Sequence, residues 1–126
     1  MMQVRFLPGS HKRVLVRALE KAMKFILIYT TYKDQDSADL IVNKLLDKKL
    51  IACANLFPII SRYRWKDGIE NANEVAAILK TRSENWKKVQ EFVESNHEYE
   101  IPCIIKLAEV EANTSYQDWI HQEING

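Results

Sequence analysis

Residues 52–65, ACANLFPIISRYRW, and residues 69–82, IENANEVAAILKTR, flank the turn Lys66-Asp67-Gly68. Residues of the two faces alternate along both arms, which is typical of β-strands. Asp67-Gly68 is a strong hairpin signal, because glycine tolerates the positive φ that a tight turn between twisted strands requires. The pattern therefore predicts a β-hairpin with about a dozen residues in each arm, well above the usual five or six.

A hairpin of this length overhangs a small sheet, so its unpaired edges must be covered, bulged or joined to another chain. Pro58 and the preceding residues 52–55 favour a bend or bulge in the first arm. We therefore expect an oligomer in which the hairpin is the connecting arm.

The segments around the hairpin complete a recognisable order of elements. Residues 24–31, KFILIYTT, are β-branched and aromatic and predict a buried strand, and Asp34, Asp36 and Ser37 offer N-cap oxygens to a helix that follows. After the hairpin, Ser83 is positioned to cap a second helix over 83–99. Residues 101–110 then predict a fourth strand and residues 116–124 a last helix. This β-α-β-β-α-β order with a terminal helix predicts an α+β, ferredoxin-like fold with one four-stranded antiparallel sheet.

The bulk composition indicates one globular domain of 126 residues with a net charge of +1. Residues 1–22 differ from the rest, because they hold five Lys or Arg residues and one Glu. We expect this extension to be disordered or loosely helical, and to be an expression leader, a start assigned too early or an organelle transit peptide. Residues 23–126 form the predicted domain, with Met23 as a candidate natural start.

Two cysteines, Cys53 and Cys103, are too few for a disulfide framework and predict free thiols in a reducing cytoplasm. The near-neutral charge gives no general reason to expect nucleic-acid or membrane-surface binding. No apolar run approaches the ~20 residues that cross a bilayer. We expect a cytoplasmic protein that binds neither nucleic acid nor membrane.

Enzyme signatures are lacking in the sequence. The only glycines are Gly9, Gly68 and Gly126, which excludes a glycine-rich phosphate loop, and there is no GxSxG, HExxH or CxxC motif. Cys53, Cys103 and His97 remain as soft and borderline ligands that suit copper or zinc, although their spacing alone is a weak signal. His97 also fits a purely structural role at the end of the second helix.

Several ordered segments resemble the CutA family of divalent-cation tolerance proteins over roughly four fifths of the chain. The matching segments are KFILIYTT at 24–31, LIACAN at 50–55, Ser61-x-Tyr63-x-Trp65, Glu74 with Lys80-Thr81, His97-x-Tyr99-Glu100-x-Pro102, and Tyr116-x-x-Trp119. Each segment is weak alone, whereas all of them in order and at matching spacing are specific.

The resemblance implies a homotrimer, similar in shape to PII signalling proteins, without catalytic activity and linked to tolerance and binding of copper or other divalent cations. The family cysteine matches Cys53 and the signature histidine matches His97, and Cys103 lies beside that signature. These three residues are the candidate metal ligands, and no cofactor is required. The candidate residues of an intersubunit ligand cleft are Tyr63, Trp65, Glu74, Lys80, Tyr99, Glu100 and Trp119.

This chain departs from the family pattern at three positions. Glu98 replaces a usual proline, which predicts a less rigid turn after the second helix. Cys103 replaces a common glutamate and shifts any metal site there toward copper(I) or zinc. Ala112 replaces a usual glycine, so the loop must differ if that glycine needs a positive φ.

Structural interpretations of these residues stay open. Tyr63 and Trp65 fit trimer packing as well as a pocket. Lys80, Glu74 and Glu100 fit an ion-pair cluster as well as a binding site, and Cys53 fits a buried small residue as well as a ligand. The sequence thus predicts a non-enzymatic homotrimer that binds a divalent cation, copper first. The alternative is a PII-like module that holds a small ligand in the cleft between subunits.

Overall fold

A computed structural model describes residues 25–108 and 110–124 of the chain. The predictions for residues 1–22 and for Met23 lie outside these residues. The strands are β1 (Phe25–Tyr32), β2 (Cys53–Trp65), β3 (Gly68–Arg82) and β4 (Ile104–Leu107). The α-helices are α1 (Gln35–Asp47), α2 (Trp86–Asn96) and α3 (Thr114–Glu123), and a 3-10 turn (Ser83–Asn85) precedes α2.

The four strands form one antiparallel sheet in the order β2-β3-β1-β4. β3 lies between β2 and β1, so it splits the βαβ unit that β1, α1 and β2 form. This arrangement confirms the predicted α+β, ferredoxin-like fold with a long hairpin and a C-terminal helix.

The hairpin pairs β2 with β3 in one uninterrupted register from Cys53↔Lys80 to Trp65↔Gly68. Of the predicted bend or bulge near Pro58, the bulge is therefore wrong: β2 is an edge strand, where a proline is tolerated within the ladder. The expected positive φ at Gly68 is also wrong, because Gly68 opens β3 and Lys66 has the positive φ, at 55°.

Both ends of α1 have defined caps. Of the three N-cap candidates, Asp34 takes the position, and its carboxylate accepts a hydrogen bond from the Ser37 N–H at 2.8 Å. At the other end the Lys49 N–H donates to the Leu46 carbonyl, and the Leu50 N–H donates to the Leu45 carbonyl. These two bonds make a Schellman motif, and they place Lys49 in the left-handed region with φ 57°.

The sheet has a core on each face. α1 and α2 pack on one face, where β1 and β3 contribute Ile26, Ile28, Ala77 and Leu79. On the opposite face, α3 packs through Ile120 and Ile124 against Phe25 and Leu27 of β1. Side chains that alternate along β1 therefore serve two different helix layers.

The elements after the hairpin differ in detail from their predictions. Ser83 lies in a 3-10 turn and donates its hydroxyl to Glu84, so it does not cap α2. β4 has only four residues, and they pair with Leu27–Thr30 of β1. Ala112 needs no special backbone, since Lys49 and Lys66 are the only non-glycine residues with positive φ in the described part of the chain.

Part of the sheet face that bears α3 stays uncovered. Phe57, Ile105 and Leu107 on this face are 37–49% exposed. An apolar sheet surface of this kind is unusual on a lone subunit and marks an interface or a binding surface. Within the described residues, no helix has the length and apolar character to cross a membrane.

Lys49→Gly tests the strain at the end of α1. A left-handed conformation costs a residue with a Cβ about 1–2 kcal/mol, so we expect the glycine variant to raise the free energy of unfolding by about 0.5–1 kcal/mol after its own entropy cost. Urea unfolding at matched protein concentration measures the change. Lys48→Gly is the control and should destabilise the fold, because Lys48 has an ordinary helical backbone. A loss of stability in Lys49→Gly equal to that in Lys48→Gly would contradict the assignment.

Candidate functional site

A cleft of about 490 Å³ opens between the end of the hairpin and the segment that joins α2 to β4. Its lining combines aromatic rings, carboxylates and one thiol. The residues that line it are Thr31, Tyr63, Arg64, Trp65, Glu74, Glu98, Tyr99, Glu100, Ile101 and Cys103.

The hairpin wall of the cleft follows from strand register. Tyr63 pairs with Glu70 and Trp65 with Gly68, while Glu74 pairs with Ile59. Because side chains alternate along a strand, Tyr63, Trp65 and Glu74 point to the same face. That face continues beyond the end of β1, whose last residue pairs with Val75. The overhang of the hairpin therefore supplies one wall of the cleft.

His97 fixes the opposite wall through both nitrogens of its ring. The Nδ1 atom accepts a hydrogen bond from the Tyr99 N–H at 3.0 Å. Nε2 lies 2.7 Å from the Thr31 carbonyl oxygen, which can only accept, so Nε2 carries the proton. The ring also stacks on Tyr32 at 5.1 Å between centroids. His97 thus joins the end of α2 to β1, and a metal ion at either nitrogen would have to replace one of these bonds.

Tyr99 connects this wall to the hairpin. Its hydroxyl donates a hydrogen bond of 2.5 Å to Oε2 of Glu74. Burial, followed by the hydrogen bond to the Glu74 carboxylate, raises the pKa of Tyr99 well above its usual value of 10.0. Tyr99 therefore stays a neutral donor, and one oxygen of Glu74 is committed to it.

Glu98 holds the loop of the cleft against the start of α1. Its carboxylate forms an ion pair with Lys33 and accepts a 2.9 Å hydrogen bond from the Ser37 hydroxyl. The hydrogen bond from Lys33, followed by that from Ser37, lowers the pKa of Glu98 below its usual 4.5. The turn that was expected to lose rigidity without proline thus gains two contacts that proline cannot make.

Cys103 places its thiol in the same cleft. Burial raises the pKa of this thiol, and the nearby Glu74 carboxylate raises it further. A hydrogen bond with the Thr31 side chain lowers the pKa by a smaller amount than burial raises it. The thiol is a free one. A soft sulfur ligand and the hard Glu74 carboxylate are therefore neighbours in this cleft.

Cys53, Lys80 and Trp119 lie elsewhere, in a group beside α3 that also includes Tyr116. The Lys80 ammonium donates to the Tyr116 hydroxyl at 3.2 Å and lies 5.2 Å from the centre of its ring, on which Trp119 stacks at 5.7 Å. Cys53 pairs with Lys80 across the hairpin. Lys80 pairs with Leu27, four residues before Thr31 of the cleft, a separation of about 13 Å along the strand.

The structure thus brings six of the ten predicted site residues to one cleft and leaves Cys53, Lys80 and Trp119 in the α3 group. His97 is outside the lining of the cleft and bonds to Tyr99, which lines it. In the described part of the chain, no group of three or more His, Cys, Asp or Glu side chains is arranged to hold a metal ion. The ligand roles of Cys53, His97 and Cys103 stay predictions.

Four residues of the cleft were not among the ten predicted site residues: Thr31, Arg64, Glu98 and Ile101. By alternation Arg64 belongs to the face opposite Tyr63 and Trp65, so the period of the strand gave no signal for it. Thr31 shares a sheet face with Glu74 through its pairing with Ala76, and this strand register comes from the tertiary structure.

His97→Ala tests whether the imidazole is structural. The change removes two hydrogen bonds and the stacking on Tyr32, so we expect the free energy of unfolding to fall by about 2–4 kcal/mol, measured by urea unfolding. The loss should be the same with and without a strong chelator, because no metal is involved in these contacts. Ser95→Ala, an exposed change on α2, is the matched control. A loss that occurs only in the absence of chelator would instead identify His97 as a metal ligand.

Comparisons with known proteins agree with this architecture. Residues 26–123 match the family profile described as CutA1 divalent ion tolerance protein. The divalent-cation tolerance protein CutA of Pyrococcus horikoshii is 41% identical over 98 residues, which cover 78% of this chain and 96% of that protein. A crystal structure of the P. horikoshii protein matches with a TM-score of 0.77 at 39% identity, over 80% of this chain and 99% of the other.

A second solved structure is that of a protein from Archaeoglobus fulgidus, described as the periplasmic divalent cation tolerance protein CutA. It matches with a TM-score of 0.78 at 39% identity, over 80% of this chain and 99% of the other. Family profile, relatives and solved structures all cover the same ferredoxin-like domain. The chain belongs to the CutA1 divalent ion tolerance protein family.

Proposed function

We propose that this chain acts in divalent-cation tolerance as a homotrimer that binds a soft or borderline cation, copper first. The observation that carries the metal proposal is the position of the Cys103 thiol inside a cleft rich in carboxylates, beside Glu74. Thiolate sulfur favours copper(I) and zinc over magnesium or calcium. The relatives named for divalent-cation tolerance give the proposal its biological context.

One subunit offers an incomplete ligand set. Cys103 and the second oxygen of Glu74 supply two donors, whereas a zinc site usually has four. Water or a second copy of the chain would complete the coordination. His97 has both nitrogens bonded within the subunit, so in this proposal it positions the cleft.

Two features support the proposed trimer: the exposed apolar face of the sheet and the edge strand of the hairpin. Phe57, Ile105 and Leu107 expose side chains that a second copy would bury. Within residues 25–108 and 110–124, the long edge strand β2 has a strand partner on one side only. A closed ring of identical copies would bury this face and pair these edges in every copy.

In this proposal the protein has no catalytic activity and acts in the cytoplasm. Among the described residues the Cys103 thiol has Thr31 as its partner and both His97 nitrogens are occupied, so these two side chains do not form a thiol–imidazole pair. Two free thiols suit a reducing compartment, although the A. fulgidus relative is described as periplasmic.

Light scattering after size exclusion tests the assembly. Three chains of 14.7 kDa give a mass of about 44 kDa. Ile105→Asp buries a charge in the proposed interface and should shift the mass toward a single chain. Leu40→Asp is the matched control, since Leu40 is 58% exposed on α1, on the other side of the sheet. A single-chain mass for the unchanged protein would refute the trimer.

Competition with a chelator of known affinity, under reducing conditions, tests the metal site. Because burial raises the pKa of the Cys103 thiol, the cation must displace a proton, and copper(I) affinity should increase about tenfold per pH unit between pH 6 and 8. Cys103→Ser should weaken binding at pH 8 by at least about tenfold and abolish this slope.

Cys53→Ser is the matched control, because the second thiol lies in the α3 group and should leave both affinity and slope unchanged. Glu74→Gln should weaken binding while preserving the slope, since the thiol proton is still released. If copper(I) bound tightly and Cys103→Ser did not change its affinity, the cleft would not be the metal site.

A PII-like binding module is the second candidate function, and the size of the cleft favours it. A volume of about 490 Å³ lined by Tyr63, Trp65 and Tyr99 lies in the range of small-molecule sites. The chelator competition separates the two functions, because Trp65→Leu should leave copper(I) affinity unchanged while removing a wall of the ligand cleft.

A further inference from the structure

Aromatic rings and carboxylates dominate the cleft and limit what it can bind. Tyr63, Trp65 and Tyr99 line it together, and Tyr63 and Trp65 are 43% and 42% exposed. Tyr63 is close enough to Tyr99 to contribute to the rise in its pKa. The rings therefore present apolar faces, rich in π-electrons, to whatever enters.

The charge of the cleft is negative. Three glutamates line it against one arginine, Arg64. Lys33 neutralises Glu98, and Tyr99 occupies one oxygen of Glu74. Glu100 and the second oxygen of Glu74 remain to attract a positive group.

Three other rings in the described part of the chain have a lysine ammonium over them. Lys48 lies 5.6 Å from the centre of the Phe92 ring, Lys80 lies 5.2 Å from Tyr116, and Lys106 lies 5.5 Å from Trp86. Within residues 25–108 and 110–124, the rings of Tyr63, Trp65 and Tyr99 have no such lysine or arginine over them. The Tyr99 ring has the His97 ring beside it, at 4.8 Å between centroids, so Tyr63 and Trp65 offer the rings that no described lysine, arginine or histidine contacts.

We propose that the cleft binds an organic ammonium cation that has alkyl groups, which the rings of Trp65, Tyr63 and Tyr99 contact while Glu100 and Glu74 balance the charge. Aromatic faces with nearby carboxylates are the arrangement that recognises alkylated ammonium groups. The proposal rests on the second candidate function, a small-ligand cleft, and names its ligand class.

A nucleotide is disfavoured at the same place. Phosphate binding relies on several basic side chains, or on backbone N–H groups of a glycine-rich turn or a helix start. The cleft has one arginine and no glycine, and its glutamates repel a phosphate. The same glutamates that repel a phosphate thus attract an organic cation.

Two-dimensional NMR titration of the full chain, in the presence of a metal chelator, tests the inference. The probes are tetramethylammonium, choline, ATP, and 3,3-dimethylbutan-1-ol, an uncharged molecule with the shape of choline. The chain has three tryptophans, so the indole N–H of Trp65, assigned from its loss in Trp65→Leu, should shift while those of Trp86 and Trp119 stay in place.

We expect choline to bind at least about tenfold more tightly than its uncharged counterpart, and ATP not to shift the Trp65 signal. Glu100→Gln should weaken choline binding several-fold without changing the affinity for the uncharged probe. Ile60→Ala is the matched control, because Ile60 is 73% exposed and points to the other face of β2.

Each alternative result has a distinct meaning. Equal affinity for choline and the uncharged alcohol, or binding of ATP at Trp65, would overturn the organic-cation assignment and leave a small-ligand cleft in place. Absence of a Trp65 shift with every probe, or choline binding unaffected by both Glu100→Gln and Trp65→Leu, would overturn the ligand class and the ligand cleft together.

Discussion

The pairing of β2 with β3 is the constraint on which the rest of this subunit depends. The ladder is unbroken from Cys53 to Trp65, whereas β1 pairs with β3 only from Val75 onward. Residues 68–74 and their partners on β2 therefore extend beyond the sheet by roughly 20 Å. That overhang creates both the exposed edge that favours association with other copies and the wall on which Tyr63 and Trp65 stand.

Contacts from the segment after α2 turn this overhang into a cleft. His97 bonds to the Thr31 carbonyl and to the Tyr99 N–H, and Tyr99 bonds to Glu74 of the hairpin. Each of the two neutral hydrogen bonds of His97 contributes about 1 kcal/mol, and the bond from Tyr99 to the Glu74 carboxylate about 1.5–3 kcal/mol. Together they leave the loop little freedom. The histidine of the family signature thus has a physical role in this chain that requires no metal.

Two kinds of cation are proposed as ligands of the negatively charged cleft. The Cys103 thiol beside Glu74 favours a soft metal ion, and the rings with Glu100 favour an alkylated ammonium. The two sets of residues overlap only at Glu74, which already shares one oxygen with Tyr99. Binding of either cation is therefore expected to depend on a different part of the same cleft.

The sequence by itself determined the order of the elements, the length of the hairpin, a short list of N-cap candidates that includes Asp34, and the family, because alternation, capping and turn residues are local signals. It did not determine that Lys66 would take the positive φ, that Pro58 would sit in an unbroken edge strand, or that Lys80 would lie with Tyr116. Nor did it place Cys53 and Cys103 in separate groups. The contacts that make the cleft join residues 25 and 66 positions apart, and such contacts depend on strand register and loop path, which only the tertiary structure decided.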